Sequence, residues 1–83
     1  PASPASMPAP ARRKLGYKEA RELEQLPARI ETLESELATL AAAMSEAGFY
    51  QQPPGEVTAH AQRMASTQAE LDQAYARWAE LDA

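Results

Sequence analysis

Apolar side chains recur along residues 23–44 at alternating intervals of three and four positions, which places them on one face of an α-helix. A stripe of this kind is the heptad seam of a coiled coil, in which each apolar side chain packs against a second helix. The residues of this first seam are Leu23, Leu26, Ile30, Leu33, Leu37, Leu40 and Met44. The pattern therefore predicts a long helix that needs a helical partner.

A second and less apolar repeat with the same intervals follows between residues 57 and 78. Its members are Val57, Ala61, Met64, Gln68, Leu71, Tyr75 and Trp78. If the chain folds back on itself, facing residues have position numbers with a constant sum, which pairs Leu40 with Ala61, Leu33 with Gln68 and Leu26 with Tyr75. We therefore expect the two seams to close within one chain as an antiparallel pair.

The expected pairing runs from Met44 opposite Val57 to Leu23 opposite Trp78. The next layer would place Glu19 against Asp82, so the seam should fray there. Gln68 is interpreted as a polar residue that fixes the register or is simply tolerated at a partly exposed layer, and Tyr75 and Trp78 are interpreted as aromatic core. The fold class predicted is all-α, a two-helix antiparallel coiled-coil hairpin over residues 15–83.

Glycine and proline set the expected limits of the two helices. Gly16 precedes a first helix over about residues 17–46, the segment GFYQQPPG contains a loop over about residues 47–53, and Pro54 opens a second helix over about residues 54–81. Pro27 lacks an amide hydrogen and crowds the preceding turn, so we expect the first helix to be kinked or broken near it. Phe49 and Tyr50 are expected to cover the loop end of the core.

Residues 1–14 form a Pro/Ala-rich segment that ends in a basic run. The first eleven residues hold four prolines and no charge, a composition that predicts a disordered tether. Because position 1 is not methionine, we expect the chain to be a piece of a longer protein.

Several kinds of chemistry lack the residues they need. There is no cysteine, and the single histidine, His60, is expected to be a surface or flank residue beside the seam, so no metal site is predicted. The phosphate-binding motif GxxxxGK[ST] and the zinc motif HExxH are absent, and no apolar run reaches the ~20 residues of a membrane span. We expect a soluble chain that catalyses nothing and carries no cofactor of its own.

Charge is distributed unevenly along the chain. The net charge is −4, yet residues 12–21 carry +4 and residues 22–83 carry −8. The basic residues at the first helix and before it are Arg12, Arg13, Lys14, Lys18 and Arg21. They are candidates for weak, salt-sensitive and sequence-independent contacts with phosphates, or simply a solubilising linker, whereas the later acids are interpreted as solvated helix surface.

The stretch RRKLGYKEARELEQLPARIETLESEL resembles the opening of the C-terminal domain of ABC-F proteins, soluble ATPases with two ATP-binding cassettes, and in particular the Uup type. The family segment has the form KLSYKEQRELEALPARIEALE. The similarity continues through FYQQPPGEV and LDQAYARWAEL, and it covers residues 12–83. Gly16 stands where the family has a serine cap, and Pro53 where it has an aspartate, so each helix start loses a side-chain cap worth ~1 kcal/mol.

The resemblance implies a cytoplasmic protein with two upstream cassettes, which bind ATP and Mg, and a C-terminal coiled-coil hairpin. It implies roles at the ribosome and in tolerance of DNA damage, with DNA bound through this domain. The residues that it assigns to nucleic acid are Arg12, Arg13, Lys14, Lys18 and Arg21, with Arg29 as a weaker addition. The expected partners are DNA or ribosomal RNA, contacted by a monomer; the alternative is a coiled coil for protein interaction or self-association.

Overall fold

The computed structural model describes residues 15–82, which form two antiparallel helices joined by a short connection. Helix α1 spans Tyr17–Met44, a single 3-10 turn spans Phe49–Gln51, and helix α2 spans Pro54–Asp82. The described residues contain no strand, and the predicted all-α hairpin is confirmed. Helix α1 ends at Met44, ahead of the expected position 46, and the expected tether over residues 1–14 lies outside the described residues.

Gly16 starts α1 without a side chain that could cap it. Its backbone is extended, with φ −74° and ψ 172°, and its amide donates a hydrogen bond of 3.3 Å to Oε1 of Glu19. Only the glutamate half of a capping box is therefore formed, because glycine has no oxygen to offer the first-turn amides. The negative charge of Glu19 also suits the positive end of the helix dipole.

Helix α1 continues through Pro27 without a break. The residue is exposed, whereas Leu26 and Ile30 on either side of it are both only 5% exposed. The missing amide thus lies on the solvent side, where water can satisfy the unpaired carbonyl of the preceding turn. The seam keeps its phase across the proline, so the break that the sequence analysis allowed does not occur.

The core of the first seam lies where the apolar pattern predicts it, since Leu26, Ile30 and Leu33 are all buried. The second seam is different. Four of its seven members agree with the prediction, because Val57, Met64, Leu71 and Trp78 are buried or half-buried. The other three, Ala61, Gln68 and Tyr75, are exposed. The positions that face α1 in their place are His60, Thr67, Ala74 and Leu81.

At every other position, the residue of α2 that faces α1 is therefore the one immediately before the predicted residue: His60 for Ala61, Thr67 for Gln68 and Ala74 for Tyr75. Thr67 and Ala74 are 3% and 5% exposed, and their small side chains leave room for the leucines and isoleucine of α1. Gln68 and Tyr75 are too bulky and too polar for those sites when a small neighbour can fill them. Tyr75 instead donates a hydrogen bond from its hydroxyl to Glu34, which raises the pKa of the tyrosine.

The open end of the hairpin is well packed. Leu81 is only 3% exposed, and Leu15 and half-buried Trp78 pack against the cluster to which it belongs. The fraying expected beyond Trp78 is therefore wrong. The expectation placed Asp82 in the seam, but the observed alternation of intervals brings Leu81 there instead.

At the closed end, Gly48 turns the chain in the left-handed region, with φ 102°. Phe49 is buried at 6% exposure, as predicted, and its ring meets the His60 ring edge-to-face at 4.8 Å. The Nε2 of His60 lies 2.7 Å from the carbonyl oxygen of Leu40, so this histidine joins the helices rather than standing at the surface. Tyr50 is 67% exposed and does not cover the core, contrary to expectation.

Three ion pairs connect the helices along one edge of the hairpin. The nitrogen–oxygen distances are 2.7 Å for Arg77 with Glu22, 3.2 Å for Arg29 with Glu70, and 3.1 Å for Arg63 with Glu36. We call these six residues the charge ladder. Successive members on each helix are seven residues apart and alternate in sign, so a slip of one heptad would bring like charges together. Glu36 and Glu70 therefore do more than solvate a helix face.

Candidate nucleic-acid interface

The first turns of α1 and the last turns of α2 form what we call the hairpin base, residues 15–22 and 77–82. Lys18 and Arg21 both lie there and are exposed. Residues three apart on an α-helix are neighbours on one face, so the two cationic side chains project from the same side of α1. They follow the basic run that precedes the helix in the sequence.

Tyr17 and Arg21 are in direct contact at this base. The Nη1 of Arg21 donates a hydrogen bond of 3.0 Å to the Tyr17 hydroxyl, and the guanidinium carbon lies 5.7 Å from the centre of the tyrosine ring. This arrangement is a cation–π contact that orients the guanidinium without neutralising it. The tyrosine itself remains 76% exposed.

The other cationic groups of the described residues are engaged. Arg29 and Arg63 each pair with a glutamate on the opposite helix, and Arg77 pairs with Glu22 and, at 3.1 Å, with Glu80. Within residues 15–82, Lys18 and Arg21 are the basic side chains that have no carboxylate partner. Positive charge is thus available to a ligand at the base and largely balanced elsewhere.

The ion pair of Arg77 with Glu22 keeps the carboxylate of Glu22 away from Arg21. Its Nε and Nη2 donate hydrogen bonds of 2.7 and 3.0 Å to the two carboxylate oxygens of Glu22. The hydrogen bonds with the guanidinium lower the pKa of Glu22 below its ordinary value of 4.5, and those with Glu22 and Glu80 raise the pKa of Arg77. The acid that follows Arg21 in the chain is consequently turned toward α2 and does not neutralise the arginine.

The structure brings together only part of the predicted set of binding residues. Lys18 and Arg21 are adjacent, whereas Arg29 lies eight residues farther along α1, about 12 Å away along the axis, and faces Glu70. Arg12, Arg13 and Lys14 lie outside the described residues. The described part of the predicted site is therefore the pair at the base, with Arg29 separate from it.

A groove lies beside the charge ladder on the described hairpin. Its charged lining consists of Glu22, Arg29, Glu36, Glu70 and Arg77, so it carries more acid than base. The groove should therefore attract phosphate less than the unpaired cations of the hairpin base do. No cluster of metal-binding side chains occurs among residues 15–82, and neither described helix is long and apolar enough to cross a bilayer.

The sequence analysis did not single out Tyr17. Its signal was nevertheless present, because an aromatic residue with a lysine at the next position and an arginine four positions on puts all three on the same helical turn. The resemblance directed attention to the charges alone. The ring next to them becomes apparent once its exposure and its contact with Arg21 are known.

The fold and its ion pairs define a class: a short antiparallel coiled-coil domain with two exposed cations at its open end, unpaired among residues 15–82. The family model described as the ABC transporter C-terminal domain matches residues 14–83, and the chain belongs to this family. The sequence resemblance to the C-terminal domain of such ATP-binding proteins is confirmed.

Similar proteins include several of the Uup type. The chain is 46% identical over 69 residues to an ATP-binding protein Uup-like of Haemophilus influenzae and 43% identical over 70 residues to the ATP-binding protein Uup of Escherichia coli. These matches cover 83% and 84% of the chain but only 15% and 11% of the two relatives, so the chain corresponds to a small part of their length.

A solved structure has the same fold. It is described as the C-terminal domain of the Uup protein, a DNA-binding coiled coil motif, and it superposes with a TM-score of 0.76 at 38% identity. The match covers 94% of this chain and 92% of that one. The antiparallel coiled-coil architecture is thus shared over nearly the whole domain.

Proposed function

We propose that this chain is a non-catalytic, DNA-binding accessory module of an ABC-F ATPase, and that it contacts DNA phosphates through the hairpin base and the basic run that precedes it in the sequence, without reading sequence. The proposed contacts are Arg12, Arg13, Lys14, Lys18 and Arg21. The observation that carries the proposal is the pairing of charges. The arginines of the charge ladder face carboxylates, whereas Lys18 and Arg21 face none among the described residues.

Similarity supports DNA as the ligand, since the solved structure of the Uup domain is described as DNA-binding. The acidic remainder of the chain repels a polyanion, which leaves the base as the favourable approach. Nothing at the base presents a pair of donors and acceptors fixed in a groove-reading geometry, so phosphate contacts dominate and affinity falls as salt rises.

Arg29 is proposed as a weaker contributor. Its partner Glu70 offsets its charge, but the pair is exposed, with side-chain exposures of 56% and 49%. Exposed pairs contribute only about 0–1 kcal/mol, so Arg29 can exchange its carboxylate for a phosphate at modest cost. Its removal should therefore weaken binding less than the removal of Arg21.

The test is a titration of fluorescently labelled duplex DNA at about 50 and 200 mM salt, read by polarisation. Lys18→Gln and Arg21→Gln should each weaken binding and reduce the dependence of log K on log salt concentration by about 1, as expected for one lost phosphate contact. The matched control is Arg63→Gln, which removes the same charge from the middle of the hairpin. It should leave that slope unchanged.

Reversal of Arg12, Arg13, Lys14 and Lys18 to glutamate should abolish salt-sensitive binding. Equal weakening by Arg63→Gln and Arg21→Gln would show that only the overall charge matters and would contradict the assignment to the base. Equal binding by the wild-type chain and the fourfold variant would contradict the assignment of these four residues.

The larger protein is proposed by analogy with the relatives. We propose that the module follows two ATP-binding cassettes, which hold ATP and Mg, in a cytoplasmic protein that acts at the ribosome and in tolerance of DNA damage. Ribosomal RNA presents the same phosphate chemistry and is the competing ligand in the titration. A clear preference for structured RNA over DNA at equal salt would redirect the proposal.

We also propose that the module is a monomer, because the apolar seam of α1 is covered by α2 of the same chain. Sedimentation across a range of concentrations tests this. A mass that rises with concentration would favour the alternative function, a coiled coil for self-association or protein interaction.

A further inference from the structure

An exposed aromatic ring lies among the cationic side chains of the hairpin base. Tyr17 is 76% exposed, the highest value among the large apolar residues of the described chain, and it is the first residue of α1. Lys18 follows it directly, and Arg21 stands one turn on. The ring contributes nothing to the core, so its position calls for another explanation than packing.

The contact with Arg21 fixes how the ring is presented. The guanidinium lies over one face at 5.7 Å from the ring centre and holds the hydroxyl by a 3.0 Å hydrogen bond. The high exposure of Tyr17 leaves the opposite face open to solvent. A flat, oriented aromatic surface next to unneutralised cations offers both elements that single-stranded nucleic acids use, stacking for a base and charge for its phosphates.

We propose that Tyr17 is a stacking site for an unpaired DNA base, so that the module binds single-stranded DNA in preference to duplex. This inference rests on the proposed function, because it assumes that phosphates approach Lys18 and Arg21. Duplex DNA offers the ring no accessible base face except at its ends. In a single strand every base has a free face, and a phosphate lies within a few ångströms of it to meet the lysine or arginine.

Charge complementarity favours a nucleic acid as the ligand that stacks on Tyr17. The base is the part of the described chain where positive charge lacks a carboxylate partner, so an anionic ligand is favoured over an apolar peptide. The other strongly exposed tyrosine, Tyr50 at 67%, lies in a connection without any basic residue, between Glu46 and Glu56. An aromatic side chain of similar exposure but opposite electrostatic surroundings thus provides an internal control.

The experiment measures binding of the full 83-residue chain to three labelled probes at one salt concentration. The probes are an oligothymidylate of roughly 16 nucleotides, a duplex of equal length, and a single-stranded abasic oligomer with the same number of phosphates. The variants are Tyr17→Ala, Tyr17→Phe and Tyr50→Ala. Circular dichroism confirms that each variant keeps its helices, as expected for substitutions of exposed side chains.

Tyr17→Ala should weaken binding to the oligothymidylate about tenfold, the loss of one stacked base, and change binding to the duplex and the abasic oligomer by less than about twofold. Tyr17→Phe should bind the oligothymidylate within about twofold of the wild type, since phenylalanine stacks as well. Tyr50→Ala should leave all three affinities unchanged.

Two results would overturn the inference and leave the proposed function intact. One is an equal loss on all three probes by Tyr17→Ala. The other is a loss by Tyr17→Phe as large as that by Tyr17→Ala, which would mean that the hydroxyl positions Arg21 and the ring does not stack. Absence of binding to any probe by the wild-type chain would instead overturn the proposed function itself.

Discussion

The two ends of the hairpin are closed by different means. At the tip, residues 45–53, the chain itself joins the helices, and the junction is uncharged from Ala47 to Gly55. Phe49 is buried at this junction, and a hydrogen bond between His60 and the carbonyl oxygen of Leu40 connects the two helices there. At the base no covalent connection holds the helices together, and Leu81, Leu15 and the pair of Glu22 with Arg77 do so instead.

This difference separates structural and binding roles. At the tip, Phe49 and His60 make internal contacts, and residues 45–53 contain no basic side chain. The base combines an apolar plug with two exposed cations, Lys18 and Arg21, which have no carboxylate partner among residues 15–82 because Arg77 engages Glu22. The end that lacks a covalent connection is thus the end equipped for a ligand.

The largest effect is expected from a substitution that unfolds the whole hairpin and so disrupts both ends. Leu71→Asp places a charge in the middle of the core, where the side chain is 6% exposed, and should unfold the hairpin because the carboxylate has no partner there. Circular dichroism should show most of the helical signal lost at 25 °C. Ala69→Asp adds the same charge on the exposed side of α2 and should stay folded. Full helicity in the Leu71 variant would contradict the packing described above.

Removal of the apolar plugs compares the ends directly. Phe49→Ala should lower the free energy of unfolding by about 3 kcal/mol and Leu81→Ala by about 2 kcal/mol, both through lost burial and the cavity left behind. The smaller value belongs to the base, because a helix terminus already opens more readily than a residue tied into a turn. Urea denaturation measures both. A larger loss for Leu81→Ala would reverse the ranking of the two ends.

A smaller effect is expected on the pH dependence of stability, and it should come from Glu22 at the base. The lowered pKa of Glu22 means that its contribution to stability is present above the unfolded-state value near 4.5 and is lost as the pH falls through the folded-state value. The melting temperature should therefore fall on acidification below pH 4.5, and Glu22→Gln should reduce that fall. Glu24→Gln removes the same charge from the exposed face of α1 and is the control. Identical pH profiles for the wild type and Glu22→Gln would contradict this role.

The sequence was sufficient for the architecture and for half of the interior. The first seam could be predicted because leucine and isoleucine occupy every position of it except Met44, so no other face of α1 competes. In α2, alanine, threonine and glutamine are spread around the helix, and hydrophobicity alone favoured Tyr75 over Ala74. Leu81 distinguishes the two possible repeats in α2: it continues the observed repeat through Thr67 and Ala74, whereas the predicted repeat leaves it out.

The binding residues show a similar limit. Lys18 and Arg21 could be proposed from composition, since they follow a basic run. Whether a charge is available, however, depends on what faces it across the hairpin. Nothing in the local sequence distinguishes Arg21 from Arg29, yet only Arg29 meets a glutamate of the other helix. Such pairings depend on the register between two distant segments, which is why Arg29 was grouped with the others.

The charge ladder and the core bear on whether α1 pairs with α2 of the same chain or with α2 of a second molecule. Every contact between α1 and α2 would form equally well if α2 came from a second molecule, because both arrangements share one register. The interface itself therefore cannot distinguish a closed hairpin from an exchanged dimer. That choice falls to residues 45–53, where the left-handed turn at Gly48 and the rigid Pro53 keep α2 at a high local concentration beside α1.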